Sequence, residues 1–450
     1  MTSVGSIGPK TPPVRELSDH IRLALPLTVG YLGQMLMGLV DTVMLGHHSE
    51  TALAGAGIAN SLIFAFIAFG MGVVMGLDSL VPQAIGAGER DRARRLFVTG
   101  LRVCVVLGLP ISVIILVAPE LLTLVAVDPD VADEARIYIY GRLPSLVPFL
   151  VFVAQRSFLQ AAGGTRPIVV AMVVANVVNV GLDYALIYGV EPIGLPALGS
   201  LGAALATTFV SFVSIAIAGL AIASDKRPAT AVYDPVLARK IVALGLPVGL
   251  HLLAEVGLFS IAQVLAGRLG KTQVAAHQVA VMLASFSFSM ALGVGAACSV
   301  RVGQAIGSGD PRRVRRAGTA GFVLGASLMG CAGIAFAVFP RQLATLVSSD
   351  PHVIEAAIPL LRIAAVFQLS DAIQAVAAGA LRGAGDTRST FIGNLAGHYG
   401  IGLPLAIILA FPLGMGVPGL WWGLVAGLTS VAIGLTWRFY WLAGRPIARS

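Results

Sequence analysis

Charge is what this sequence lacks. Only 12% of its 450 residues are Asp, Glu, Lys or Arg, against 57% hydrophobic, and its mean hydropathy is +0.88. A soluble domain carries about a quarter charged residues, so a water-soluble fold is excluded. Cysteine is nearly absent as well. Cys104, Cys298 and Cys331 fall singly inside apolar runs, with no metal-ligand spacing and no support for disulfide pairing, and read as packing residues. The opening twenty residues, polar with Lys10, Pro12, Pro13 and Arg15, lack the apolar core of a signal peptide, so insertion is expected to use the first spanning segment. Gly86-Ala-Gly88 and Gly383-Ala-Gly385 have neither the Lys nor the flanking strand of a phosphate loop and read as helix ends and tight turns. No nucleophile with a base and no metal motif stands in the apolar runs, which argues against an intramembrane enzyme; no cofactor is expected.

What the chain does contain is apolar length. Runs near 22–46, 51–84, 97–126, 134–160, 167–190, 198–223, 238–267, 272–305, 317–346, 354–381, 389–414 and 418–443 reach or exceed the ~18 residues of a spanning helix. The reading is an all-α polytopic membrane protein of about twelve transmembrane helices, with the lipid bilayer as its main partner.

The formal net charge of +8 sits in the short gaps between runs, as topology signals and not as a nucleic-acid surface. Positive charge alternates: Lys10, Arg15 and Arg22; Arg90, Arg92, Arg94 and Arg95; Arg166; Lys226, Arg227, Arg239 and Lys240; Arg312, Arg313, Arg315 and Arg316; Arg382 and Arg388; Arg445 and Arg449. Both termini are therefore expected in the cytoplasm, in a cell inner membrane, with Arg268, Lys271 and Arg341 as exceptions on the outside.

The chain also repeats itself. Gln83-Ala-Ile-Gly-Ala-Gly88 and its basic tail return as Gln304-Ala-Ile-Gly-Ser-Gly309, and Leu25-Pro26 returns as Leu246-Pro247, both after 221 residues. Leu159 to Arg166 returns as Leu381 to Arg388 after 222. Six spans per half is an even number, so the halves enter the membrane in the same sense, a parallel repeat with a cavity expected between them near mid-bilayer. The expected organisation is a cytoplasmic tail at 1–20, an N-lobe at 21–223, a linker at 224–237 marked by Lys226, Arg227, Pro228 and Asp234, a C-lobe at 238–443 and a tail at 444–450.

Eight acidic residues fall within these bounds; setting aside Glu120, Glu134 and Glu355 toward the run ends leaves Asp41, Asp78, Asp183, Glu255 and Asp371. A carboxylate at mid-bilayer costs at least ~2.5 kcal/mol and requires burial in protein, water or a cation. Few basic residues lie deep enough to pair with them, so the neutralising agents are expected to be a proton, Na⁺ or a cationic substrate. At 1.5 Å per residue Asp41 and Asp183 lie about 28 and 24 Å from the cytoplasmic ends of their helices. Asn179, one turn before Asp183, shares its face.

In the second half His251 precedes Glu255 by one turn, while Phe367 and Gln374 flank Asp371, offering hard oxygen ligands and an aromatic face for an organic cation. This half is the better Na⁺ candidate. By the repeat, Glu255 takes the place of Gln34, one polar layer in each half. The competing reading for each acid is a structural hydrogen-bonded residue. For Asp78, near the Arg90 to Arg95 run, a structural ion pair or helix-end role is preferred. His251, His277 and His398 read as hydrogen-bonding partners, and Pro26, Pro110, Pro247 and Pro404 as kinks or ordinary packing.

Val40-Asp-Thr-Val-Met-Leu-Gly46, Gln83 to Gly88, Ala275-Ala-His-Gln278, Val300 to Gly307 and Leu381-Arg-Gly-Ala-Gly-Asp386 together resemble the multidrug and toxic compound extrusion (MATE) family over nearly the whole chain. The NorM-like branch is most similar, since Glu255 and Asp371 match its cation-site acids, with Asp41 as the matching first-span acid, while Asp183 beside Asn179 resembles the first-lobe proton site of the DinF-like branch. The resemblance implies a functional monomer with alternating access, exporting organic cations or drugs against Na⁺ or H⁺, with Gln278 among the binding residues. A lipid-linked sugar flippase of the same broad superfamily is the alternative. It would want a basic central cavity, whereas the intramembrane charge here is mostly acidic.

Overall fold

A computed structural model describes residues 13–124, 128–224, 232–445 and 447–449. Lys226, Arg227 and Pro228 of the expected linker, and most of the expected N-terminal tail, lie outside the described residues. Twelve helices among those described are long and apolar enough to cross a membrane: α1 Glu16–His48, α2 Glu50–Gly86, α3 Arg90–Glu120, α4 Pro129–Ala162, α5 Arg166–Tyr188, α6 Ser200–Ala223, α7 Pro235–Arg268, α8 Lys271–Gly307, α9 Pro311–Val338, α10 Pro351–Gly383, α11 Thr387–Ala410 and α12 Gly416–Ala443. Leu25, Val106, Val177, Leu220 and Trp437 are among the large apolar side chains left exposed, as a lipid-facing surface requires.

Local chemistry sets the helix starts. Asp128, Asp234, Asp310 and Asp350 each precede a proline, and their carboxylates accept the backbone N–H two residues on at 3.0, 2.8, 3.0 and 2.8 Å. Proline at the first helical position loses nothing there, because that N–H would have no partner in the helix. The helix ends repeat as the sequence does. Gly88 and Gly309 follow α2 and α8 at φ of +78° and +72°, and Gly163 and Gly385 follow α4 and α10 at +83° and +79°. That left-handed backbone is open to glycine at little cost, so the Gly-Ala-Gly segments are helix ends as read. Three spans are interrupted. α2 breaks at Met75-Gly76, α4 passes through a 3₁₀ turn at Leu143–Ser145, and α11 widens into a π-helix over Leu395–Gly402.

With an even number of crossings, both described chain ends lie on one face, called here the terminal face. The two halves meet there through paired contacts. Gln83 Nε2 donates to the Gly383 carbonyl at 3.0 Å, and its repeat mate Gln304 donates to the Ala161 carbonyl at 2.9 Å. Gly86 and Gly307 lie so close to the Gln304 and Gln83 carbonyls that a Cβ on either would collide. Arg301 of α8 bonds Glu16 and Asp19 of α1 at 2.6 and 3.1 Å, and Arg449 reaches Glu89 at 3.2 Å. Among the described residues, the polar contacts joining the halves lie between this face and the level of Met35 and Ser289.

Asp78 belongs to this seam. Gln160 donates to its carboxylate at 2.9 Å, Arg382 stands 3.8 Å away, and Ser299 donates to its backbone carbonyl at 3.2 Å. The ion-pair reading holds, but the partner comes from the other half and not from the Arg90 to Arg95 run. α10 ends at this seam, so its last-turn arginine is already at Asp78's depth.

Candidate functional site

The first half places Asp41 of α1, Asn179 and Asp183 of α5, and Thr207 of α6 in one buried cluster. Asp41 is 5% exposed, and Asn179 and Asp183 are fully buried. Thr207 Oγ1 donates to Asp41 Oδ2 at 2.9 Å. The two carboxylates lie within electrostatic reach of each other, yet no protein hydrogen bond reaches Asp41 Oδ1, either Asp183 oxygen or the Asn179 amide. Two adjacent buried carboxylates that share a single hydroxyl donor repel each other unless a proton or cation lies between them. Arg142 of α4 is within electrostatic reach of Asp183 and lies over the Tyr138 ring, 6.0 Å from its centroid. Sequence reasoning missed Thr207 and Arg142. A hydroxyl and a guanidinium inside spans were visible signals, but which helices would meet was not.

The second half builds a different cluster from α7, α10 and α11. His251 Nε2 lies 3.3 Å from Glu255 Oε2, and Asn394 Nδ2 lies 3.4 Å from His251 Nδ1. Asn394 also donates to the Thr390 carbonyl at 3.0 Å and accepts from Gln374 Nε2 at 3.2 Å. If the Asn394 amide donates to Nδ1, a neutral His251 carries its proton on Nε2 and gives it to Glu255. A chain of polar contacts thus runs from Gln374 through Asn394 and His251 to Glu255, which keeps 16% of its side chain exposed. Asp371, 4% exposed, stands in the same electrostatic neighbourhood, as does His398 of the π-helix. Asn394 and His398 extend the cluster beyond the acids; Asn394 ends the last ordinary turn before α11 widens, a distortion that periodicity does not show.

The other predicted residues are dispersed. Phe367 is 4% exposed and meets Trp421 edge-on at 5.8 Å between centroids, and Trp421 Nε1 donates to His277. Its ring thus packs in the second half's apolar core. Gln278 is exposed, and Gln34 lines a small cavity within the first half. Among the described residues no group of three or more His, Cys, Asp or Glu is arranged to hold a metal ion. Any Na⁺ at Glu255 and Asp371 would therefore draw further oxygens from amides, carbonyls or water.

The family model described as MatE matches residues 26–185 and again 247–408, one copy per half. The chain belongs to the MatE family. Among its relatives, a probable multidrug resistance protein NorM of Bradyrhizobium diazoefficiens is 36% identical over 444 residues, covering 96% of this chain and 95% of that one. The multidrug resistance protein NorM of Burkholderia vietnamiensis is 36% identical, covering 95% and 94%. The crystal structure of the eukaryotic MATE transporter AtDTX14 superposes with a TM-score of 0.87 at 25% identity, covering 95% and 96%. A structure titled as the outward-facing conformation of a multidrug resistance MATE family transporter has the same fold, with a TM-score of 0.87 at 22% identity over 97% and 100%. This MatE chain is thus a multi-pass membrane transporter of the NorM branch. Its two carboxylate clusters are not repeat mates, since at the repeat spacing Asp183 falls on Leu405 and Asp371 on Phe149.

Proposed function

We propose that this MatE protein is a secondary antiporter that exports organic, often cationic, compounds in exchange for Na⁺ or H⁺. It would work as a monomer in the inner membrane, with the terminal face in the cytoplasm. The observation that carries this reading is the pair of buried carboxylate clusters. Asp41 and Asp183 lie within electrostatic reach of each other with Arg142 nearby and no donor on Asp183, and Asp371 is buried beside Glu255. Neither pair is balanced by one fixed positive group, so each is open to a mobile cation, and a cation that binds one lobe arrangement better than the other shifts the equilibrium between them. The names of the NorM relatives support multidrug compounds as substrates. With the terminal face closed, ion entry to the acids would come from the opposite side. Substrate leaves on that side, the lobes rock, and the ion leaves inside.

The test is reconstitution in liposomes under imposed Na⁺ or pH gradients, following efflux of a fluorescent organic cation. Wild type should respond to one gradient, and Glu255→Gln with Asp371→Asn should abolish efflux while the protein stays folded. Full efflux by that double variant would remove the second-half mechanism.

A further inference from the structure

The repeat sets two equivalent places side by side, and they carry opposite chemistry. In the C-lobe, His251, Glu255, Gln374 and Asn394 form the polar chain described above. At the repeat spacing their mates in the N-lobe are Gly30, Gln34, Phe152 and Met172, so the imidazole and both amides are gone and an amide stands in place of the acid. Gained instead is Arg156, where the C-lobe has Ala378. These residues are in contact: Tyr31, Gln34, Phe152, Arg156, Ile168 and Met172 line one cavity between α1, α4 and α5, with room for little more than one water-sized group.

Arg156 is 93% buried by its 7% exposure. Its guanidinium lies over the Tyr31 ring, 4.7 Å from the centroid. Among the described residues it has no carboxylate in ion-pair range and no hydrogen-bond acceptor. A guanidinium cannot shed its charge; its nitrogens keep some accessible surface, and stacking on one tyrosine face offsets only part of the cost of burying the side chain. The fixed fork of donors matches a planar two-oxygen anion, and the Gln34 amide adds donors on α1. The rest of the lining is apolar, which suits a small, weakly hydrated anionic group and rejects a phosphate.

We propose that the N-lobe holds an anion site at Arg156, sized for one monovalent anionic group, either a carboxylate carried by an amphipathic substrate or free chloride. Thr28 and Met35 contact α8 across the lobe boundary from the same helix as Gln34. Filling the site would therefore bear on the helix that joins the lobes. The proposal does not depend on the export reading, because its test reads binding and not transport.

The experiment uses the full-length protein in lipid nanodiscs at constant Na⁺, with methanesulfonate replaced stepwise by chloride or by benzoate, following its melting temperature. A saturable rise with at least one of them is expected. Arg156→Gln should raise the half-saturating concentration at least tenfold. Gln34→Glu, which supplies an internal carboxylate beside the guanidinium, should abolish the response and decides the matter if Arg156→Gln does not fold. Gln278→Ala, exposed and outside this cavity, should leave the response unchanged. A response to benzoate alone assigns the site to a substrate-borne carboxylate, and one to chloride alone assigns it to the free ion. No saturable rise with either salt in wild type, or a rise unaltered in Gln34→Glu, would overturn the proposal.

Discussion

Asp183 and Glu255 are both acids in spanning helices, but their surroundings ask different things of them. Asp183 has a second carboxylate beside it and no donor on either oxygen, so its cluster is poised to take a single small cation or proton. Glu255 already receives a histidine whose other nitrogen is held by Asn394, so its orientation is fixed from α11. Outer partners that fix a ligand are commonly worth about 10–100-fold in affinity or activity. Asn394→Leu is therefore expected to lower efflux of an organic cation by about tenfold in proteoliposomes, whereas Gln278→Ala, exposed and without a place in either cluster, should stay within about twofold. Asp183→Asn should abolish efflux driven by a pH gradient if protons couple through the first half. The acids and the Asn179-Asp183 face were legible in sequence because a charge in an apolar run stands out and helix periodicity fixes its face. Thr207, Arg142 and Asn394 were not, because their part depends on which helices meet. Phe367 shows the same limit: its position on α10 was readable, but its contact with Trp421 is set by tertiary packing.

Helices carry the next level, and their boundaries rest on a few side chains. The Asp-Pro starts are local and readable, since carboxylate, missing N–H and first-turn amides lie within four residues of each other. Replacing an N-cap acid by alanine costs about 1 kcal/mol. Asp310→Ala should thus lower the melting temperature of the purified protein slightly without changing efflux, because α9 contributes no residue to either carboxylate cluster. Asp386→Ala should cost more, since its carboxylate caps α11 through Ser389 and also accepts from Arg438 Nε at 2.7 Å. The interruptions were not readable. The 3₁₀ turn before Leu146 holds Pro144, one of several prolines within spans, most of which leave their helix unbroken, and the π-helix after Asn394 depends on how α11 packs.

For the whole molecule, the question is what holds the lobes in this arrangement. The sequence repeat predicted two like halves, and the matched Gln83 and Gln304 bonds show its consequence: each half gives the other the same contact at the terminal face. Superimposed on this symmetry are charged contacts without mates. Arg301 is 13% exposed and bonds Glu16, itself 2% exposed, with two of its nitrogens. Hydrogen bonds to charged groups contribute about 1.5–3 kcal/mol when removed, and 1.4 kcal/mol is a tenfold change in an equilibrium. Arg301→Ala should therefore shift the lobe equilibrium away from terminal-face closure by about ten- to a hundredfold, and because a large arginine is lost, Glu16→Gln should act in the same direction more weakly. Spin labels on the two lobes at the terminal face would read this as a longer distance population that grows in both variants. If distances in Arg301→Ala match wild type, closure is held by the glycine-lined helix crossings and the paired glutamines, and the charged contacts only decorate it.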